Sequence, residues 1–578
     1  MNFREWDVPG RFALKPLAAF WPDVLFILCV AGLFFGLSGF EKQITAHFRP
    51  AFEIDLSPLA LPKYALYSLA RGLIAYVISL VFTLLYGYWA AKDERAGVIL
   101  IPLLDILQSI PVLGFMPGLV LALIAMFPQS NIGLELASVI MIFTGQAWNM
   151  TFSFYHSLRS LPPEQGEAAA VFRFNWWQKL RWVELPASAT GLVWNSMMSM
   201  AGGWFFLMVS EAFVLGEKDY RLPGVGSYMS VAVEKGDYWA MAWALLAMTL
   251  MIVALDQLIW RPLAVWVRQY RLEDSAGETE AESSWFLEWL TKLKMVKGME
   301  EGLQRFMLYT SKRQRLSSNN IAQGAGMRWL LGGVRGLLFL SVIAILLYAA
   351  GKLTALVAGL SLANWETVCY STFLTFVRVF VVLSLSTLWT LPLGVLIGSS
   401  PSALRVMRPL VQIAASFPAP MLFPLMVALF VWFHLSLGWG SILLMTLGSQ
   451  WYILFNVIGA AAAVPADLKE AAVSFRITGW RRFTALYAPA VFPALITGWV
   501  TAAGGAWNAS IVAERVNYNG HPLATDGIGA LISLSAEKGD FHMLAAGIMV
   551  MAAVVVFLNR VLWSRLYELA HRRYSLGG

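Results

Sequence analysis

Long stretches of the chain carry no charged residue, and short polar segments separate them. Stretches without Asp, Glu, Lys or Arg cover 24–40, 72–91, 106–134, 136–158, 187–210, 238–255, 336–351, 379–404, 409–466, 483–513 and 541–559. A helix needs about 20 apolar residues to cross the hydrocarbon core of a bilayer. The stretch 409–466 is too long for one crossing, so we expect it to turn back at Ser436-Leu437-Gly438. The pattern therefore predicts twelve spans, six on each side of a polar middle segment.

The composition agrees with a membrane protein. Of 578 residues, 58% are hydrophobic and only 13% are charged, whereas about a quarter are charged in a soluble domain. This excludes a typical soluble enzyme and any disordered or fibrous class. We expect a chain that crosses the lipid bilayer many times.

The distribution of basic residues predicts the orientation. The segments expected outside, 41–63, 216–238, 351–365 and 513–540, hold nine of the 42 Lys and Arg residues. The other basic residues fall inside or at helix ends, as the positive-inside rule requires. Both termini are therefore predicted to be cytoplasmic, and the first residues are interpreted as a retained segment rather than a signal peptide. Topology explains the net charge of +7, so no nucleic-acid partner is indicated.

The two halves of the chain are copies of one another. Glu234-Lys-Gly-Asp237 returns as Glu537-Lys-Gly-Asp540, an offset of 303 residues that also matches Trp148 to Trp451. Upstream the offset is 307, as between Arg71 and Arg378. Six spans per half give both copies the same orientation, related by a pseudo-two-fold axis along the membrane normal, with a pathway between them.

These boundaries divide the chain into three parts. We assign the first repeat to residues 1–267, with a core at about 64–267, and the second to 328–578, with a core at about 366–564. Residues 268–327 form a cytoplasmic linker, in which Trp285, Trp289, Leu290, Leu293 and Val296 recur at helical spacing. Such a helix suits the membrane interface, and anchoring and regulation both remain open as its role.

The loops between spans four and five are the most similar part of the repeat. They read LPPEQGEAAAVFRFNWWQKLRWVELP (161–186) and VPADLKEAAVSFRITGWRRFTALYAP (464–489). Both resemble the EAA loop of binding-protein-dependent ABC importer permeases, with Pro186 and Pro489 at the expected spacing. Stretches 68–90, 375–398, 109–117 and 416–424 resemble the nitrate/sulfonate/taurine branch of that family. The resemblance covers about 64–270 and 371–570.

The resemblance implies an all-α polytopic membrane protein of two parallel six-helix repeats, with the methionine-importer-like permease fold. Each loop would then be a coupling helix that docks a cytosolic ABC ATPase dimer, with a glutamate offered for pairing and small alanines that allow close approach. The coupling residues are Glu167, Ala168, Ala169 and Arg173 in the first copy, and Glu470, Ala471, Ala472 and Arg476 in the second. A periplasmic substrate-binding protein would deliver the solute at the bacterial inner membrane. An amphipathic surface helix with no partner is the alternative.

Arg173 and Arg476 depart from the family pattern, which has glycine at this position. If the backbone there has a positive φ, arginine costs roughly 1 kcal/mol or more. Either the turn differs, or the arginines gain a partner on the ATPase or on lipid phosphate.

Four ionisable residues inside or at the ends of spans are candidates for the pathway. Arg71 and Arg378 enter spans two and eight, while Glu211 and Glu514 close spans five and eleven at the same depth. One hypothesis is a salt bridge within each half. The other is a basic ring that attracts an anionic substrate.

Small and amide residues in mid-span are further pathway candidates. Gly202 and Gly505 either permit close helix packing or line the pathway, as Asn195 and Asn508 would. Prolines should kink spans three and nine and free backbone groups that are best tolerated beside a cavity. They are Pro111, Pro117, Pro418, Pro420 and Pro424.

Several functions lack the residues they need. The chain has no Gly-x4-Gly-Lys-Ser/Thr phosphate loop, so ATP and Mg would be used by the partner ATPase, and this chain is expected to be no enzyme and to bind no cofactor or metal. An ion-coupled secondary transporter with twelve spans would need a mid-bilayer carboxylate, and a membrane scaffold would have no reason to keep two matched coupling loops. We therefore expect the permease subunit of an ABC importer that moves a small solute, with nitrate, a sulfonate or a related anion as the class indicated by the resemblance.

Overall fold

The computed structural model describes residues 38–109, 111–215, 218–270, 284–292, 344, 348, 351–518 and 521–574. The predicted spans 24–40 and 336–351, most of the linker and both chain ends lie largely or wholly outside these residues. The described part is built of long helices, with two short antiparallel hairpins as its named strands.

From Pro58 onward, the named elements of the first repeat in the described residues are eight helices and one hairpin. They are α1 (Pro58–Lys92), α2 (Glu94–Ser109), α3 (Val112–Met126), α4 (Ile132–Arg159), α5 (Pro163–Val171), α6 (Trp176–Glu211), β1 (Ala212–Leu215), β2 (Lys218–Arg221), α7 (Val225–Glu234) and α8 (Tyr238–Tyr270). A separate helix, α9 (Trp285–Lys292), lies in the predicted linker, where the Trp285 indole donates to Gln257. Leu293 and Val296 lie outside the described residues.

The second repeat has the same elements in the same order. They are α10 (Leu362–Ser399), α11 (Pro401–Ser416), α12 (Ala419–Trp432), α13 (Leu437–Ala462), α14 (Ala466–Ser474), α15 (Gly479–Ala513), β3 (Arg515–Tyr518), β4 (His521–Ala524), α16 (Ile528–Lys538) and α17 (Phe541–Ala570). Even local irregularities recur, because π-helical turns lie at Leu180–Glu184 and Phe483–Tyr487 and again at Asp256–Trp260 and Asn559–Trp563. The duplication predicted from sequence is confirmed.

Seven of the described helices are long and apolar enough to cross a membrane, and the bent pair α11–α12 would make an eighth. Helix α13, one of the seven, has 26 residues and is about 39 Å long at 1.5 Å per residue. The described residues thus contain a polytopic all-α membrane protein, while the count of twelve stays a prediction.

Prolines break the third span of each repeat, as predicted. Helix α2 ends at Ser109, and Pro111 is the residue from which α3 begins. In the second repeat α11 and α12 meet at an angle of 81°, with Pro418 at the break. The long stretch 409–466 turns back where expected, because α12 ends at Trp432 and α13 begins at Leu437.

The repeated Glu-Lys-Gly-Asp sequence is a helix stop followed by a helix start. Gly236 and Gly539 adopt φ of 65° and 67°, the left-handed region that glycine enters without strain. The next residues, Asp237 and Asp540, then accept backbone N–H groups of α8 and α17 through their side chains. A sharp turn between two helices therefore explains why this sequence is repeated.

Candidate functional site

The two loops that the sequence predicts to be coupling loops, 161–186 and 464–489, each begin with a short exposed helix at an equivalent position, α5 and α14. Glu167, Ala168, Glu470 and Ala471 are exposed on these helices. Ala169 and Ala472 instead are 3% and 4% exposed and are the buried residues of their helices. The second alanine of each motif therefore packs against its own chain, and the first alanine and the glutamate remain for a partner.

Apolar side chains project from the same loops. Phe172 and Phe475 are 71% and 79% exposed, and Trp176 and Trp480 also face outward. The second loop is the more basic of the two, with four Lys and Arg residues against three in the first. Within it, burial lowers the pKa of Lys469, and the nearby Arg482 guanidinium lowers that pKa further. An exposed aromatic surface beside an exposed glutamate has the character of a protein interface.

Arg173 and Arg476 both adopt a left-handed backbone with φ of 52°. Each is the residue after the C-cap of its helix, which is Phe172 for α5 and Phe475 for α14, and the pattern of bonds is a Schellman motif. The Phe174 N–H donates to the Ala169 carbonyl at 2.9 Å, and the Ile477 N–H donates to the Ala472 carbonyl at 2.8 Å. Of the two alternatives, a different turn or a partner for the arginines, the first does not apply, because the backbone makes the left-handed turn that suits a glycine. The arginines occupy that turn at the cost of backbone strain.

An ion pair ties the first coupling loop to the membrane helices. Lys92 Nζ, at the end of α1, lies 2.6 Å from Glu184 Oε1, and the Glu184 side chain is fully buried in the π-helical turn that leads into α6. The equivalent positions of the second repeat are Ser399 and Tyr487. The two coupling loops are therefore joined to their helices differently.

At the opposite end of the molecule, a buried carboxylate holds the start of α7. Glu211 Oε2 accepts the Gly226 N–H at 2.7 Å, while Oε1 accepts the Ser68 hydroxyl and the Arg71 guanidinium at 2.6 and 2.8 Å. The negative charge suits the N-terminus of a helix. We call Arg71, Ser68 and Glu211 the latch of the first repeat.

The second repeat builds the same latch from Arg378, Thr375 and Glu514. Glu514 Oε2 accepts the Gly529 N–H at 2.9 Å, and Oε1 accepts Thr375 and Arg378 at 2.7 and 2.8 Å. The threonine hydroxyl also accepts the Ile528 N–H, as Ser68 accepts that of Val225. Each latch thus fixes one short helix to the transmembrane helices.

One difference separates the two latches. Arg71 makes a second ion pair with Glu135 at 2.6 Å, whereas the position equivalent to Glu135 is Gly438. Arg378 donates instead to the Thr525 hydroxyl at 3.1 Å. Arg71 is completely buried, and the Arg378 side chain remains 12% exposed.

The geometry favours the hypothesis of a salt bridge within each half over that of a basic ring. Arg71 and Arg378 are bound to carboxylates of their own repeat, and neither they nor Glu211 and Glu514 line the cavity described next. Desolvated charges need partners, and these four charges satisfy one another within each repeat.

A cavity of about 190 Å³ lies between the two repeats. Gly202, Gly505 and Asn508 line it, whereas Asn195 does not, although the Asn195 and Asn508 amides both donate to the carbonyl four residues earlier in their own helices. Aromatic rings from both repeats make up much of the wall. They are Trp148, Phe205, Phe206, Phe417, Trp451, Tyr452, Phe455, Trp507 and Trp563.

Tyr452 occupies the space that the two mid-span glycines leave. A Cβ atom added to Gly202 would lie 3.4 Å from the Tyr452 hydroxyl, and one added to Gly505 would lie 3.3 Å from its ring. Because the glycines are equivalent, the single tyrosine lies close to the pseudo-two-fold axis. No signal in the sequence indicates this role for Tyr452, because the equivalent residue in the first repeat is Asn149 and not a second tyrosine.

Hydrogen bonds and a cation–π contact join the repeats around the cavity. Asn508 Oδ1 accepts the Val112 N–H at 2.8 Å, which satisfies the first backbone donor of α3. Gln412 donates to Asp256 at 3.1 Å, and the Arg408 guanidinium lies 4.3 Å from the Trp194 ring centroid. In the part of the chain that the structure describes, no group of three His, Cys, Asp or Glu side chains could hold a metal ion.

The model of one protein family matches the chain twice, at residues 83–259 and 390–576. The family is described as the binding-protein-dependent transport system inner membrane component. This chain belongs to that family. Both matches contain a coupling loop and the cavity helices that follow it, so the family's transporter-component architecture occurs twice in one chain.

Relatives of this permease family are similar to part of the chain. The taurine transport system permease protein of Escherichia coli is 24% identical over 32% of this chain and 62% of its own length. A protein named for aliphatic sulfonate transport in Bacillus subtilis is 24% identical over 25% of this chain and 49% of its own length. One named as an ABC transporter permease in Methanocaldococcus jannaschii is 26% identical over 29% and 60%. The chain thus spans about half to three fifths of these curated relatives.

Proposed function

We propose that this chain is the transmembrane subunit of an ATP-driven ABC importer and alone forms the translocation pathway. The observation that carries the proposal is the pair of equivalent exposed coupling helices, α5 and α14, at the same end of two repeats that enclose a cavity. Transport between two repeats requires an ATPase subunit to move each repeat. The two matched helices provide one docking surface for an ATPase subunit on each repeat.

The partners follow from the two ends of the molecule. An ABC ATPase dimer would bind the coupling helices from the cytoplasm and use ATP and Mg there. A periplasmic binding protein would deliver the solute at the end that carries the hairpins and latches. The chain would lie in the inner membrane of a bacterium with both termini in the cytoplasm, consistent with the bias of its basic residues.

The solute is a small compound of the kind named for the relatives, and taurine and aliphatic sulfonates are the first candidates. An ion-coupled transporter is the alternative. It would need a carboxylate that faces the pathway, and none of the described residues that line the cavity is acidic. Glu211 and Glu514 are engaged in the latches.

The test is a purification in mild detergent from native membranes, followed by an assay of nucleotide hydrolysis. The wild type should carry an ATPase subunit, and Glu167→Arg/Glu470→Arg should lose it, because each variant reverses the charge on an exposed coupling helix. Glu366→Arg is the control. Glu366 is exposed near the start of α10, at the end of that helix which lies away from the coupling helices. Absence of an ATPase subunit from the wild type would contradict the proposal and favour an ion-driven transporter.

A further inference from the structure

Two seams join the repeats, and the pseudo-two-fold axis relates one seam to the other. At the first seam, α2 and α3 of the first repeat meet α15 and α17 of the second. At the second seam, α11 and α12 of the second repeat meet α6 and α8 of the first. Two separate copies of one subunit would make both seams identical. A fused chain allows them to differ.

The two seams differ systematically in polarity where they line the cavity. One mixed pair in the wall, Thr144 with Leu447, lies on α4 and α13, which belong to neither seam. On the seam helices, three pairs of equivalent residues have one polar and one apolar member, and all six residues line the cavity. The pairs are Gln108 with Ala415, Thr501 with Met198, and Asn508 with Phe205. In every pair the polar member lies at the first seam and the apolar member lies at the second. Other equivalent pairs in the wall are unchanged, such as Gly145 with Gly448 and Trp148 with Trp451.

The polar seam carries dipoles rather than charges. Among the described residues that line the cavity, none is Asp, Glu, Lys, Arg or His. Asn508 donates one amide hydrogen to the Gly504 carbonyl at 3.1 Å, which leaves its second amide hydrogen for a ligand. The Thr501 hydroxyl donates to the Thr497 carbonyl at 2.9 Å, and because a hydroxyl hydrogen can rotate, it can be turned toward an acceptor on a ligand instead. Asn559 adds a further amide to the cavity wall from the π-helical turn within α17.

We propose that the cavity takes an amphipathic organic solute in one orientation, with its polar head group at the first seam and its apolar body at the second. Gln108, Thr501 and Asn508 would determine specificity for the head group, and Met198 and Phe205 would contact the body. This inference rests on the proposed function. A bare inorganic anion gains little in this cavity, because no cationic side chain compensates its desolvation.

The experiment measures uptake into proteoliposomes that contain the assembled importer and its binding protein, with hexanesulfonate and inorganic sulfate as probes. Hexanesulfonate should be carried at least tenfold faster than sulfate. Thr501→Met should lower the hexanesulfonate rate about tenfold, because it removes a polar group from the first seam. The binding protein is the same in every sample, so a change between variants reports on this chain.

The exchange variant Met198→Thr/Thr501→Met provides the decisive comparison. It keeps the composition of the cavity but moves the hydroxyl to the second seam, so we expect the rate to stay low. Recovery to the wild-type rate would overturn the proposal, because any polar group in the cavity would then suffice. Leu429→Met, on an exposed part of α12 away from the cavity, is the control and should match the wild type.

The two proposals fail in different ways. If the importer assembles and hydrolyses ATP but carries sulfate as fast as hexanesulfonate, the amphipathic pathway is contradicted and the importer function stands. If no ATPase assembles with the wild-type chain, the importer function is contradicted, and this inference falls with it.

Discussion

Arg221 and Arg515 lie on opposite strands of two equivalent hairpins, yet each reaches the glutamate of the repeated Glu-Lys-Gly-Asp sequence. Arg221 Nη2 is 2.7 Å from Glu234 Oε2, and Arg515 Nε is 2.9 Å from Glu537 Oε1. In the first hairpin Ala212 faces Arg221, and in the second Arg515 faces Ala524. The arginine and the alanine have therefore exchanged places across the strand pair, and the ion pair has been kept.

This exchange predicts the outcome of a double substitution. Cross-strand neighbours have Cβ atoms about 5 Å apart, so an arginine on either strand can reach the glutamate. Arg221→Ala should lower stability slightly, by no more than about 1 kcal/mol because the pair is partly exposed. Ala212→Arg/Arg221→Ala should recover it. Melting temperatures of the purified variants in one detergent would show this, and a double variant as unstable as Arg221→Ala would contradict it.

The sequence predicted those features that depend on local pattern or on comparison of the halves. The duplication, the proline breaks and the turn at Ser436-Leu437-Gly438 follow from spacing that survives in the fold. The two coupling helices follow from the conspicuous loop motif. Each of these signals is contained in a short stretch of chain, so no tertiary information was needed.

The partners of the buried charges could not be obtained in this way. Glu135 and Ser68 lie 64 or more residues from at least one of the groups they bind, and only the packing of α1 against α4 and α6 brings them together. Two signals were nevertheless present. Glu135 is the single charge between two apolar stretches, and Ser68 has a hydroxyl equivalent in Thr375. The cavity wall was partly missed because lining depends on the rotation of each helix about its axis.

The difference between the two latches predicts unequal effects of removing the arginines. Arg71→Met leaves two buried carboxylates, Glu135 and Glu211, without their cation, which costs about 3–5 kcal/mol. Arg378→Met leaves only Glu514, and Arg378 is itself partly exposed. The melting temperature in detergent should therefore fall further for Arg71→Met.

A third variant isolates the cause of that inequality. Glu135→Gln gives the first latch a single carboxylate, as in the second repeat, and should reduce the penalty of Arg71→Met when the two are combined. Equal melting temperatures for Arg71→Met and Arg378→Met would show that the second carboxylate has no bearing on stability.

The strained arginines after the coupling helices predict a separation of stability from coupling. Arg173→Gly/Arg476→Gly relieves two left-handed residues at about 1 kcal/mol each, so the melting temperature should hold or rise. If the arginines bind the ATPase or lipid phosphate, the transport-coupled ATP hydrolysis should fall several-fold. Lys at both positions keeps the charge and should retain most of the coupling. If the glycine variant keeps the wild-type rate of transport-coupled ATP hydrolysis, the strained arginines have no role in coupling.

The tether between Lys92 and Glu184 predicts that the two coupling loops transmit force unequally. Lys92→Met leaves the fully buried Glu184 without its cation at the turn that joins the first coupling loop to α6. Substrate-stimulated ATP hydrolysis should drop, because the turn no longer holds the loop rigidly against α1. Ser399→Met changes the equivalent position of the second repeat, where Tyr487 takes the place of the glutamate, and should have little effect.

Lys92→Ser/Glu184→Tyr installs the second repeat's arrangement in the first and should retain more activity than Lys92→Met. If Lys92→Met and Ser399→Met behave alike while both proteins remain folded, the ion pair does not carry the coupling, and the asymmetry of the loops has no mechanical consequence.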